Sequence, residues 1–296
     1  MIHKEEWGFN KLEGLKQSGQ LLDEQSFAII LELITHQTGI IPRDSHMAGI
    51  KKYVEKRLQL LNQDGGSYLH ILEKDPDELA SLFNSATVNE TYFFREEAQF
   101  DVFQQKVLPK LKENAALAIP RKPVRIWSAA CSTGEEIYSI LLLADSLGIK
   151  TECTASDINT TVLETCKKGV YKKNAVRTVD GAKYHHLLAD FKNPGGEFVL
   201  PEKLCSRIST KRINLSSMTD FPVNQDVIFV RNVFIYFSND MKKQVLKKIA
   251  EDSLAPGGYL FVSMNEVAVL DSLLLPECLE QVVDGKVFYF HKKAGK

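Results

Sequence analysis

The sequence lacks most of the features that would betray a function at a glance. Its 296 residues hold five cysteines (Cys131, Cys153, Cys166, Cys205, Cys278), odd in number and without a CxxC pair. That scatter excludes a disulfide-stapled secreted scaffold and fits reduced thiols in a cytoplasmic protein. Apolar runs such as IYSILLLA fall far short of the roughly 20 residues a membrane span needs, so no membrane insertion is expected. The start, MIHKEEWGFN, has acids where an export signal would need a basic, then apolar, stretch. Charge of either sign is not in excess: 37 Lys and Arg stand against 38 Asp and Glu, for a net charge of −1. Broad capture of nucleic acid is therefore not expected. Neither GxGxxG nor GxxxxGK[ST] occurs, which argues against a pyrophosphate-binding loop.

What is present divides into two grammars. Residues 22–84 read as helices: Asp23 is a plausible N-cap before Phe27, Ile30, Leu31 and Ile34, and a second helix from about Ser45 carries Met47, Ile50, Val54, Leu58 and Leu61 on one stripe. This helix is expected to stop near Gly65-Gly66, and a third piece to restart at Pro76. Residues 1–85 thus form a small helical domain and 86–123 a linking segment. From residue 124 strands alternate with helices: VRIWSAA, GEEIYSILLLADSLG, TECTASDI, NTTVLETCKKG, DVIFVRN, SNDMKKQVLKKIAEDSL, PGGYLFVS and a terminal GKVFYFHK. The alternation predicts an α/β fold, a doubly wound, mostly parallel sheet over 124–296 whose binding crevice lies at the carboxyl ends of the strands. Residues 172–213 break this rhythm, and a short antiparallel β insertion is expected at about 190–213.

The first strand–turn–helix unit reads Ser128-Ala129-Ala130-Cys131-Ser132-Thr133-Gly134-Glu135-Glu136. Small residues ending in one glycine allow a tight turn beside a ligand, but two glutamates at a helix start repel phosphate and suit a cation. The second strand ends in Asp157, a position from which a carboxylate can hold the two hydroxyls of a ribose. A cationic nucleoside without phosphates satisfies both demands, and S-adenosyl-L-methionine is such a molecule. The plainer alternative is that the glutamates serve only the helix dipole and that Asp157 caps the next helix.

Three further strings narrow the field: Asn89-Glu90-Thr91-Tyr92-Phe93-Phe94-Arg95-Glu96, Asn214-Leu215, and Arg231-Asn232-Val233-Phe234-Ile235-Tyr236-Phe237. With the STGEE loop and PGGYLF they make the sequence resemble the chemotaxis receptor methyltransferases, the CheR family, over about residues 22–292. The resemblance implies the S-adenosylmethionine-dependent methyltransferase fold and transfer of a methyl group to glutamates on chemoreceptor cytoplasmic helices, with S-adenosyl-L-homocysteine as product and no metal. It further implies that Asn89, Thr91, Arg95, Glu135, Asp157, Asn214, Leu215, Arg231 and Asn232 line the cofactor site and that Arg95 and Tyr236 lie nearest the transferring methyl. Whether Glu135 or Glu136 faces the ligand stays open in the string. The same pocket motifs would serve a methyltransferase of another protein or a small molecule, or a non-catalytic module of this fold.

Partner docking is expected on the helical domain. Residues 1–85 hold nine Lys and Arg, and five of them, Arg43, Lys51, Lys52, Lys56 and Arg57, fall between 43 and 57 beside only Asp44 and Glu55. At about 100° per residue, Lys52 and Lys56 oppose the apolar stripe, ready for an acidic receptor helix; a merely solvated face is the plainer reading. His185-His186 have no suitably spaced carboxylate partner, and adjacent side chains diverge, so no metal site is expected there.

Overall fold

The computed structural model describes residues 21–117, 122–271 and 275–294. They fall into two compact units: one runs to Val88 and takes in Tyr236–Ser238, and the other comprises Asn89–Ile235 and the chain from Asn239 onward.

Among the described residues the first unit holds four helices, three of them opened by a side-chain cap. α1 (Glu24–Thr38) is capped by Asp23, whose carboxylate accepts from the Ser26 N–H, and ends at Gly39 in the left-handed region. α2 (Asp44–Leu61) buries Ile50, Val54 and Leu58 of its stripe. α3 (Gly65–Lys74) is capped by Asp64, and α4 (Pro76–Ser85) begins at Pro76 with Asp75 as its cap. Gly65-Gly66 do not end α2 as expected. Asn62 ends it, at φ 52°, and the glycine pair opens α3 because a Cβ on Gly65 would sit 2.6 Å from Cβ of Ser26. Close approach of two helices sets this position.

The second unit begins with α5 (Glu97–Val102), which passes through a π-helical turn at Phe103–Val107 into α6 (Leu108–Leu117). Then come β1 (Val124–Ala129), α7 (Glu135–Ser146), β2 (Thr151–Asp157), α8 (Thr160–Lys168), β3 (Val170–Tyr171), β4 (Phe198–Val199), α9 (Glu202–Cys205), β5 (Ile208–Arg212), β6 (Gln225–Val230), α10 (Asn239–Lys248), β7 (Leu254–Phe261), α11 (Met264–Asp271), β8 (Leu279–Asp284) and β9 (Val287–Lys292). Seven strands form one sheet in the order β5-β2-β1-β6-β7-β9-β8. β5, β2, β1, β6 and β7 are parallel, whereas β9 and β8 add an antiparallel edge. The direction of chain travel reverses between β1 and β6, so the crevice lies at the carboxyl ends of these two strands, as expected of a doubly wound sheet. The centre is apolar on both faces: Ile126, Val227, Phe229 and Phe261 are fully buried, with Phe229 and Phe261 stacked at 4.6 Å.

Three strands depart from the sequence reading. The antiparallel insertion exists, but its two strands are Phe198–Val199 and the earlier Val170–Tyr171, whereas Ile208–Arg212 joins the main sheet parallel to β2. Only Ile208 of β5 is buried, because an edge strand carries polar side chains whichever way its neighbour runs. Its alternation is therefore silent about direction. β8 was not expected at all. It forms a hairpin with β9 around Gly285, at φ 61°.

Candidate functional site

The turn from β1 into α7 is tightly wound, with Ala130 at φ 61°, Ser132 at φ 49° and Gly134 at φ 97°. Side chains rarely adopt such angles, and two non-glycine residues held there mark a conformation imposed by the surroundings. Those surroundings are β2 and α8. Cys131 N–H donates to the Ser156 carbonyl at 2.9 Å, and Ser132 N–H donates to Asp157 Oδ2 at 2.8 Å. The glycine has a second use besides the tight turn that its sequence context suggests: a Cβ on Gly134 would stand 2.4 Å from Sγ of Cys166, so packing against α8 requires it too.

Asp157 is buried at the end of β2, with its second oxygen accepting the Asn159 N–H at 2.9 Å. It does not cap α8; Asn159 does. Burial pushes the Asp157 carboxyl above its ordinary range against the pull of these backbone donors. Glu135 behaves alike. It is 4% exposed, accepts from the Thr133 hydroxyl at 2.6 Å, and is raised by burial against the pull of that hydroxyl.

The two neighbouring glutamates part company. Glu135 lines an open cleft of about 390 Å³ together with Asn89 and Thr91, whereas Glu136 turns inward to accept from the Ser128 hydroxyl at 2.6 Å and to pair with Arg231 at 3.3 Å. The fold thus separates residues that the string could not.

Arg231 is held within the protein by several partners. Its side chain is 2% exposed and lies among Glu136 and Glu96, donates to the Arg95 carbonyl at 2.6 Å, and faces the Phe100 ring. It ties the end of β6 to α7 and to the 95–96 turn, where Glu96 sits at φ 62°. Asn232, at φ 59°, donates its backbone N–H to Glu266. Asn214 accepts from the N–H and hydroxyl of Ser216, at 3.0 and 2.8 Å, and so shapes the turn that buries Leu215. Arg95 is half-buried, donates to the Glu90 carbonyl at 2.6 Å and lies 5.7 Å from the Tyr92 ring. Tyr236 groups with the helical unit, where its carbonyl accepts from the Ile41 N–H and its ring lies 6.2 Å from that of His46.

Three residues escaped the sequence reading. Glu266 accepts backbone N–H bonds from Asn232, Ile235 and Ser263, and burial pushes it up to about 7. Glu96 accepts from the Ser263 hydroxyl and the Met264 N–H. Asp180, in the irregular stretch after β3, accepts from the Tyr92 hydroxyl and from the N–H groups of Glu96 and Glu97. A motif signal existed only for Glu96, which closes the NETYFFRE string.

Within the helical unit the expected docking set divides. Lys51, Lys52, Lys56 and Arg43 are exposed. Arg57 is engaged internally: it donates to both oxygens of Glu78, at 2.8 and 2.5 Å, while Tyr68 donates to the same carboxylate at 2.7 Å. Its position at the margin of the stripe lets it reach α4, and its side chain stays 28% exposed.

Comparison with known proteins places these observations in a family. Residues 89–275 match the family described as CheR methyltransferase, SAM binding domain. The chemotaxis protein methyltransferase Cher2 of Pseudomonas putida is 32% identical over 261 residues, covering 83% of this chain and 90% of the relative. A chemotaxis protein methyltransferase of Klebsiella aerogenes is 33% identical over 256 residues, covering 83% and 84%, and one of Salmonella typhimurium is 31% identical over 254 residues with the same coverage.

Proposed function

Because the chain belongs to the CheR methyltransferase family, it is an S-adenosylmethionine-dependent methyltransferase of chemotaxis, and we propose that it forms methyl esters on glutamates of chemoreceptor cytoplasmic helices. The observation that supports the reading best is the presence of two buried carboxylates, Glu135 and Asp157, raised by burial and held by hydroxyl and backbone donors. An uncompensated buried charge is costly, and a cationic ligand offsets that cost. S-adenosylmethionine fits: it carries a sulfonium, an ammonium and two ribose hydroxyls. When bound, it supplies an electrophilic methyl group on positively charged sulfur.

The rest falls to this chain. Asp157 accepts from the ribose hydroxyls, Glu135 faces the positively charged end, and Asn89, Thr91, Asn214 and Leu215 line the site. Arg95 orients a carboxylate through its planar fork. A glutamate side chain has a reference pKa of about 4.3 and is already ionised at neutral pH, so the chain need supply no general base. Arg231, Glu136 and Glu96 hold the 95–96 turn in place. Among the described residues no helix is long and apolar enough to cross a membrane.

Cofactor affinity should depend on pH. Both carboxylates are raised in the free protein, so acidification neutralises them before an ordinary carboxylate, and a cationic ligand binds the ionised forms. Affinity is expected to fall as pH drops from 7 through the range of the raised groups, with binding releasing protons there. Calorimetry in buffers of different ionisation enthalpy measures that release; affinity that does not fall on acidification of the folded protein would contradict the assignment.

Receptor docking is proposed for the exposed lysines of α2. Lys52→Glu with Lys56→Glu should slow receptor methylation at low salt and flatten its salt dependence, while S-adenosylmethionine affinity stays unchanged. Equal rates for parent and double variant at subsaturating receptor would remove this surface. The activity itself is tested by incubating the protein with methyl-labelled S-adenosylmethionine and receptor-containing membranes. Label released by mild base is expected; base-stable label, or none, contradicts ester formation.

A further inference from the structure

We infer that Lys172 and Arg177, on the segment that leaves β3, form a carboxylate-reading rim over the cleft that contains Glu135. This inference rests on the function proposed above and adds a recognition element to it. Among the described residues four charged ones line the cleft: Glu135 is buried, whereas Glu90, Lys172 and Arg177 are exposed, so the two cations outnumber the one carboxylate at the outer edge. That arrangement suits a ligand, or a pair of ligands, presenting positive charge inward and a carboxylate outward.

Arg177 is also held for the task. Its guanidinium lies 5.0 Å over the Tyr92 ring, and that ring is fixed at its far end because the hydroxyl donates to Asp180 at 2.7 Å. Asp180 is anchored in turn by the N–H groups of Glu96 and Glu97 at the start of α5. Stacking on an aromatic face restrains a guanidinium while leaving its edge directed at hydrogen-bonding partners. Arg177 currently faces the Glu90 carboxylate at 3.5 Å, with its side chain 51% and that of Glu90 64% exposed. So exposed a pair contributes little, and an incoming carboxylate can replace it at small cost. Arg95 approaches the same ring at 5.7 Å and is bonded to the carbonyl of the same Glu90, which places two guanidiniums around one aromatic platform.

Two sources supply the matching carboxylate: the amino-acid end of the cofactor, whose ammonium would pair with Glu135, and the acidic side chain of a protein substrate. The full-length Arg177→Ala, Arg177→Lys and Lys172→Ala variants distinguish them once thermal melting shows each to be folded. Calorimetry would use S-adenosylhomocysteine and 5′-(3-aminopropylthio)-5′-deoxyadenosine, the analogue without the carboxylate, and kinetics would use receptor-containing membranes. If the cofactor is read, Arg177→Ala weakens S-adenosylhomocysteine binding roughly 5- to 20-fold and spares the analogue. If the substrate is read, both affinities hold and KM for receptor rises by a similar factor with kcat retained. Arg177→Lys should fall between parent and alanine in either case, since the ammonium keeps the charge but loses the fork. A folded Arg177→Ala protein with parental affinities and parental KM overturns the inference. Failure of the parent itself to bind S-adenosylhomocysteine or to methylate receptors would instead refute the proposed function.

Discussion

Arg231→Met is expected to destabilise the catalytic unit by about 3–5 kcal/mol, the usual cost of breaking a buried ion pair from one side. For a unit of this size that corresponds to a fall in melting temperature of about 6–20 °C. The side chain is 2% exposed, and Glu136, its partner at 3.3 Å, is 14% exposed. Methionine retains much of the volume, so the loss reads the charge and not a cavity. Burial already raises the Glu136 carboxyl, and Arg231 is the main group opposing that rise. Without the guanidinium, the folded-state pKa moves further above its unfolded value. A carboxyl raised on folding binds more protons folded than unfolded, so the variant's deficit should shrink as pH falls from 7.5 toward 5.5. Thermal melting across that range checks both magnitude and sign. A variant with parental melting temperature and lost S-adenosylhomocysteine affinity would contradict this ion-pair role and put Arg231 in contact with the ligand.

The second large effect concerns Asp157. Asp157→Ala should weaken S-adenosylhomocysteine binding by about 1.5–3 kcal/mol, the scale of hydrogen bonds to a charged group, or about 10- to 150-fold. Alanine also removes the acceptor of the Ser132 and Asn159 N–H groups, so part of the loss could come from a rearranged loop. Asp157→Asn separates the two contributions. It keeps one accepting oxygen and the side-chain volume, and should melt near the parent while still binding more weakly, since the negative charge is gone. Calorimetry on both variants, alongside melting, makes the comparison. Parental affinity in a folded Asp157→Asn protein would move the ribose contact elsewhere.

How much of this was legible in the sequence depended on whether the cause was local. Helix starts at Asp23 and Pro76 follow from caps and backbone restriction within four residues, and both stand where the chain announces them. The parallel strands of the sheet centre were equally legible, since burial on both faces leaves continuous apolar runs such as VIFV. β5 was misread because an edge strand's alternation does not encode its neighbour's direction. β8 was missed although VVDGKVF carries an Asp-Gly hairpin signal, because LEQVVD alternates too weakly to stand alone. At the site, the acidic loop and Asp157 could be singled out by residue type and position. The inward turn of Glu136 and Arg231 could not, because it depends on which face of β6 and α7 meets the other. Asp180 and Arg177 lay in an irregular stretch whose period gives no orientation, and only the fold shows that they flank Tyr92.

The transferred methyl is proposed to end on a glutamate carboxylate of the receptor. Tandem mass spectrometry of a receptor cytoplasmic fragment, after incubation with this protein and S-adenosylmethionine, locates it. A mass gain of one methylene unit confined to glutamate side chains is expected, lost on mild base treatment and absent when those glutamates are replaced by alanine. Methylation on lysine, arginine or a backbone terminus, or an unmodified receptor beside a protein that binds S-adenosylmethionine, would contradict it.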